Sequence, residues 1–344
     1  MSPGKLSGFD FLRAIFSVIV VAVHSNVLFF LTGKLQLTTI ADIFNLNVSY
    51  LAVPIFFQLS LFLFFLKSEN EPRYFLKKRL AKLVYLYLFW VILKLVFDAV
   101  VLRKTDKLIE EFSSGENFIS FVISGGSSAF YFFFSLLFLT ALAEGFRLAL
   151  SRIKSDLSKD RVRYFCLINS CILVFSFPVI VAMTGNHNWL TAIGNPLCFL
   201  SFIFTASISQ QEFSKGGINL SKKSFKLKLW TLAFLFLVFT LLEWIFYTKF
   251  PHYARVSLVF GSWLLLYSAL LSTQKVPKLI RFLSGCSLGI YGFHVFILDI
   301  TPSFESFSEV LPGSGPLIRF AIGLFGSIAL TLILRRVKIL KTVL

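Results

Sequence analysis

Apolar residues run in long blocks along this 344-residue chain, and polar residues are confined to short stretches between them. Each block approaches the ~20 residues that a helix needs to cross about 30 Å of hydrocarbon. Ten windows stand out, at roughly 9–31, 46–66, 80–101, 127–149, 164–184, 189–209, 229–248, 254–272, 283–300 and 316–334. They predict an all-α polytopic membrane bundle of about ten transmembrane helices. The longest polar stretches, about 102–118, 150–163, 210–228 and 300–315, are too short to build a core of their own. Residues 1–344 therefore read as a single transmembrane domain. The two halves lack the matching Gly/Pro-interrupted segments that mark many secondary transporters.

Composition agrees with this pattern. Hydrophobic residues make up 56% of the chain, 44 residues are Phe, and only 15% are charged, which is too few charges for a soluble domain of this length. The net charge of +17 raises nucleic acid as a partner, but its distribution argues against that. With the N-terminus inside, alternate loops carry Lys67, Arg73, Lys77, Lys78 and Arg79, then Arg152, Lys154, Lys159, Arg161 and Arg163. The next two carry Lys215, Lys222, Lys223, Lys226 and Lys228, then Lys275, Lys278 and Arg281, and the tail adds Arg335, Arg336, Lys338 and Lys341. In the opposite loops Arg103, Lys104 and Lys107 are offset by Asp106, Glu110, Glu111 and Glu116. This is the positive-inside bias, and it predicts both termini in the cytoplasm. The first window lacks a clear small-residue cleavage site and is expected to stay attached as a helix. Cys166, Cys171, Cys198 and Cys286 all fall within windows, without the paired spacing of a zinc site or a disulfide framework, so no metal is expected.

Candidate chemistry begins with Arg13 and His24, both inside the first apolar window. An Arg at the centre of a membrane helix is disfavoured by about 2.5 to 3.5 kcal/mol even on permissive scales, so such residues tend to face a cavity, a partner or a ligand. Eleven helical steps of about 100° return to within roughly 20° of the start, so the two side chains share a face, about 16 Å apart along the axis. The structural alternative is that Arg13 snorkels to the inner interface while His24 is a satisfied polar residue between helices.

Two other segments join this pair. Arg79 and Lys82 stand three apart on one helical face at the predicted inner interface, a cradle for phosphates or an anchor for anionic lipid. Ser287, Tyr291 and His294 follow an i, i+4, i+7 pattern in the ninth window, with His294 at a predicted depth close to that of His24. His187 and His252 lie at the outer ends of windows. Glu243, Asp98 and Asp299 lie in outer halves, with Lys94, Lys249 and Arg319 as candidate ion-pair partners.

Four stretches, in order, resemble the acyltransferase 3 family of membrane acyltransferases. Arg13 to His24 matches its Arg-x10-His, and Val53-Pro54-Ile55-Phe56-Phe57-Gln58-Leu59-Ser60 is similar to its apolar-Pro-x-Phe-Phe-x-x-Ser-Gly. Arg79-Leu80-Ala81-Lys82 stands where the family commonly has Arg-x-x-Arg, and Ser287 to His294 is similar to its late Ser-x-x-x-Tyr-x-x-His. Three positions depart: Leu61 replaces a Gly, Lys82 replaces an Arg, and Tyr131-Phe132-Phe133 replaces Trp-Phe-Leu. Lys keeps the charge at position 82 but loses the bidentate fork. No hydrolase-like domain follows the last window, so a stand-alone enzyme is expected.

The resemblance implies transfer of an acyl group, commonly acetyl from acetyl-CoA, to a hydroxyl of a cell-surface saccharide of O-antigen, capsule or exopolysaccharide type. It also implies a bacterial cytoplasmic (inner) membrane location, in the lipid bilayer. On this expectation Arg13, Arg79 and Lys82 bind the acyl-CoA donor, and His24, Tyr291 and His294 are catalytic. His24 is expected to act as general base or acyl-positioning group, with a covalent acyl-histidine left open. The rival reading is a carrier or flippase for a glycan or lipid-linked precursor, in which buried polar residues line a path without chemistry.

Overall fold

All regular structure among the described residues is helical; the computed structural model describes residues 6–34, 38–43, 47–126, 129–184, 194–246, 253–301, 314–337 and 340. The helices in chain order are α1 (Ser7–His24), α2 (Val27–Lys34), α3 (Thr38–Ile43), α4 (Ala52–Asn70), α5 (Leu80–Val100), α6 (Thr105–Glu111), α7 (Gly115–Ser124) and α8 (Tyr131–Ser151). They continue with α9 (Asp156–Thr184), α10 (Ser201–Ser214), α11 (Lys223–Phe246), α12 (Val256–Leu271), α13 (Lys278–Ile300) and α14 (Gly315–Leu334). Among the described residues, eight helices are long and apolar enough to cross a membrane: α1, α4 with the 3₁₀ turn before it, α5 with the π turn before it, α8, α9, α11, α13 and α14.

Three windows differ from the sequence expectation. The first is broken after His24, because Asn26 takes a left-handed conformation (φ 60°) that Asn tolerates better than most residues; α2 then starts as a separate short helix. The window 189–209 holds a 3₁₀ turn, Pro196–Phe199, opened by Asn195 as its cap, and only the 14 residues of α10 follow. The window 254–272 yields α12, an apolar helix of 16 residues.

The exposed faces fit lipid. On α11, Leu227, Trp230, Phe234, Leu237, Leu241 and Ile245 form an exposed apolar stripe at helical spacing. Phe165, Ile168, Ile172 and Phe175 form a similar stripe on α9, and Tyr85, Leu88, Ile92 and Val96 form one on α5. Apolar strips of this extent are rare on water-soluble monomers.

The chain divides into two compact units. One comprises residues 1–9, 53–83 and 135–275. It packs Phe57 on Phe199 with ring centroids 4.7 Å apart, and the buried Gln58 donates to Thr205 Oγ1 at 2.6 Å. The other comprises residues 10–52, 84–134 and 276–344. Its core holds Val21, Cys286 and Ile290, next to an aromatic cluster around the fully buried Trp90, which lies 5.0 Å from Phe293 and stacks on Phe133. Small residues allow this approach: a Cβ on Gly292 would come within 2.0 Å of the Trp90 ring, and one on Gly289 within 2.1 Å of Thr331 Oγ1. Close backbone contact of this kind is the usual source of helix packing energy in lipid.

Candidate active site

Arg13 and His24 stand on one uninterrupted helix, so their eleven-residue spacing keeps them on a common face. Near Arg13, Ser284 Oγ donates to Asp10 Oδ1 at 2.8 Å, which joins the start of α1 to the start of α13. Arg13 itself is half-buried, with Asp10 as its charged neighbour. Further along α1, the His24 ring meets that of His294, with centroids 4.9 Å apart and planes tilted by 53°. These two contacts make α1 and α13 run side by side in the same direction.

The two imidazoles differ in access. His24 is exposed, whereas His294 is 0% exposed. His294 Nδ1 lies 3.1 Å from the carbonyl oxygen of Ile290, and its Nε2 is buried with no hydrogen-bond partner among the described residues.

Tyr291 sits one helical turn before His294, its ring edge-on at 5.9 Å. Its hydroxyl donates to the carbonyl of Ala129 at 2.6 Å. That carbonyl also accepts from Phe132 N at 3.4 Å at the start of α8, and the preceding helix, α7, has its first turn capped by Ser114 Oγ accepting from Asn117 N at 3.1 Å. The helix stops at Gly125 and Gly126, with φ of 64° and 85°, a left-handed pair that side chains disfavour. The tyrosine ring packs on Phe132 at 5.0 Å and Phe133 at 5.8 Å. The Tyr131-Phe132-Phe133 stretch, which departs from the Trp-Phe-Leu pattern, therefore forms the seat of Tyr291.

Charged groups lie beside the histidine pair. Arg319 and Asp299 are the charged neighbours of His24. Arg319 Nη2 donates to the Leu298 carbonyl at 3.3 Å. The buried Lys94 is 3.3 Å from Asp299 and also pairs with Asp98, so the two carboxylates share one ammonium.

The other unit carries Arg79 and Lys82. Residues Phe75–Arg79 form a π-helical turn that leads into α5, a rare geometry that often marks functional sites. Arg79 is half-buried; its Nη2 donates to Ser60 Oγ, while its Nε is buried without a partner. Lys82 is exposed, with Arg79 and Lys67 as its charged neighbours. Arg79 and Lys67 thus flank Lys82, and the Ser60 hydroxyl accepts from the Arg79 guanidinium.

His187, His252 and Lys249 lie outside the described residues. Glu243 is held by the start of α12: it accepts from Ser257 N at 3.0 Å and from Ser257 Oγ, with Arg255 Nη1 at 3.9 Å. Sequence reasoning missed the Ser60 link to Arg79, the place of Lys67 and the aromatic cluster around Trp90. Ser60 was visible in its motif, but the π turn has no sequence signature. Among the described residues, no group of three or more His, Cys, Asp or Glu is placed to hold a metal ion.

Apolar helices long enough to cross a membrane carry a histidine pair beside a tyrosine in one unit and a group of cations in the other. The chain belongs to the acyltransferase 3 family, whose model, described as an acyltransferase domain, matches residues 6–336. The protein is thus a membrane acyltransferase. Comparison with curated proteins and with solved structures found no match.

Proposed function

We propose that this protein transfers an acyl group, acetyl in the first instance, from cytoplasmic acyl-CoA to a hydroxyl of a cell-surface or lipid-linked saccharide in the bacterial cytoplasmic membrane. The observation that carries this reading is the exposed His24 imidazole against the buried His294, 4.9 Å between ring centroids. A saccharide contributes a hydroxyl, which is unreactive until a base removes its proton.

His24 is the base in this reading. It accepts the hydroxyl proton as the oxygen attacks the thioester carbonyl, a contribution worth typically 10²- to 10⁴-fold in rate. Collapse of the tetrahedral intermediate breaks the C–S bond, and the proton held by His24 goes to the leaving thiolate. The donor, when bound, supplies an activated carbonyl. Tyr291 supports the pocket by holding its wall to Ala129.

Arg79 and Lys82, with Lys67, are assigned to the donor's phosphates. The fit rests on the buried Nε of Arg79, unpartnered among the described residues, and on the two basic neighbours of Lys82, Arg79 and Lys67. Arg–phosphate contacts are the strong, charge-assisted kind. Arg13 is assigned to the donor as well. The positive-inside bias supports a cytoplasmic face for these cations.

The test compares the surface polysaccharide of cells with and without this gene by NMR and mass spectrometry. Loss of base-labile O-acyl groups is the expected outcome; unaltered acylation in every glycan would overturn the reading.

A further inference from the structure

The two histidines are unequal in a way that assigns them different work. Ile290 O can only accept a hydrogen bond, so the contact at 3.1 Å places the His294 proton on Nδ1. Its Nε2 then carries a lone pair. That atom is buried and has no donor, although a buried acceptor of this kind normally finds one. The neighbouring imidazole is that of His24, and His24 is the exposed member of the pair.

We propose that His294 is a positioning residue: its Nε2 accepts the N–H of His24, which fixes the His24 tautomer and leaves the other His24 nitrogen unprotonated toward the incoming hydroxyl. This inference rests on the reading of His24 as base. The torsion that turns an imidazole about its Cβ–Cγ bond is broad. Hydrogen bonds of catalytic groups also often tighten only once substrate is bound, so the present ring separation is within reach of the contact. No bond to carbon is made or broken by His294. When His24 takes the substrate proton it becomes an imidazolium, and the lone pair of His294 holds its second N–H through the step.

A carboxylate commonly orients a catalytic histidine in this way in soluble hydrolases. Here the carboxylate that neighbours His24, Asp299, is engaged with Lys94, and the neutral imidazole of His294 serves without adding a buried charge.

Purified full-length protein is assayed with acetyl-CoA as donor and the polysaccharide fraction of the native cells as acceptor, following release of the CoA thiol. His294→Leu removes the acceptor atom, His294→Asn keeps a donor toward Ile290 but places nothing at Nε2, and His294→Gln puts an amide oxygen near the Nε2 position. We expect Leu and Asn to lower kcat roughly 10²-fold, the lower end of what a positioned base supplies, with KM for both substrates unchanged. Gln is expected to return most of that rate. Equal kcat in the Asn and Gln variants, or a loss confined to KM, would overturn the proposal. The Asn and Gln pair remains informative even where Leu fails to fold. A His24→Ala protein with wild-type activity overturns the base reading itself, whereas an inactive His24→Ala beside a wild-type-like His294→Asn overturns only this inference.

Discussion

Ionisable side chains within the helices of both units fall into two classes, those fully paired within the fold, such as Lys94 of the second unit, and those with a group left over. In the first unit, Glu212 accepts from Tyr267 at 2.6 Å and from Lys228 at 2.5 Å, and that lysine sits over the rings of Trp263 and Tyr267 at 4.8 and 5.1 Å. Glu243 is likewise tied to the first turn of α12. Each of these charges has its partners within the fold, as groups removed from water must. In the second unit, His24 is left exposed and His294 keeps an unused Nε2. A satisfied group holds helices together, whereas an ionisable group that is accessible or has a spare donor or acceptor is available to a ligand. Arg79 falls in the second class although it lies in the first unit, because its Nε is unpartnered.

Mutations sharpen this contrast. His24→Ala should lower kcat by about 10²- to 10⁴-fold, the usual worth of a general base, while the protein still reaches the membrane and melts as wild type; a thermal melt beside the thiol-release assay checks both. Arg79→Ala should mainly raise KM for acetyl-CoA, by about 10- to 150-fold if one charged hydrogen bond of roughly 1.5 to 3 kcal/mol is lost. Direct titration of acetyl-CoA against the variant measures this. Glu243→Gln should do the reverse, lowering stability by about 1 to 3 kcal/mol and leaving kcat unchanged. A kinetic defect without a stability defect at Glu243 would break the comparison. The smallest effect is expected at Lys82→Arg, which restores the fork that the family commonly has there and should tighten acetyl-CoA modestly.

Much of the pocket is visible in the chain before folding. Helical arithmetic places Arg13 and His24 on one face, and the depth of His294, counted along its window, brings it level with His24. The contact at 4.9 Å is the structural form of that match. What the sequence hides is local geometry. The left-handed Asn26 that ends α1 at His24 looks like one more residue in an apolar window, since Val27 to Leu31 continue the run. The π turn before α5, which aims Arg79 at Ser60, arises from a one-residue change in hydrogen-bond register that no periodicity records. The shared ammonium of Lys94 is a third case. Asp98 is one turn away on the same helix and was open to inspection, but Asp299 comes from α13 and required the packing. The two windows that yield shorter helices among the described residues make a related point: hydrophobicity marks burial in lipid or protein alike, and the Asn195–Pro196 start and the 16 residues of α12 are set by turns that hydropathy does not see.

The central claim is that His24 performs proton transfer in an acyl transfer reaction. The most direct measurement is single-turnover transfer of radiolabelled acetyl from acetyl-CoA to the native polysaccharide fraction by purified wild-type and His24→Ala protein in lipid nanodiscs, with label read as base-labile ester. Wild-type protein is expected to move label into the polysaccharide, and His24→Ala to bind acetyl-CoA yet leave the label on the donor. Ester formation by His24→Ala at the wild-type rate would contradict the account.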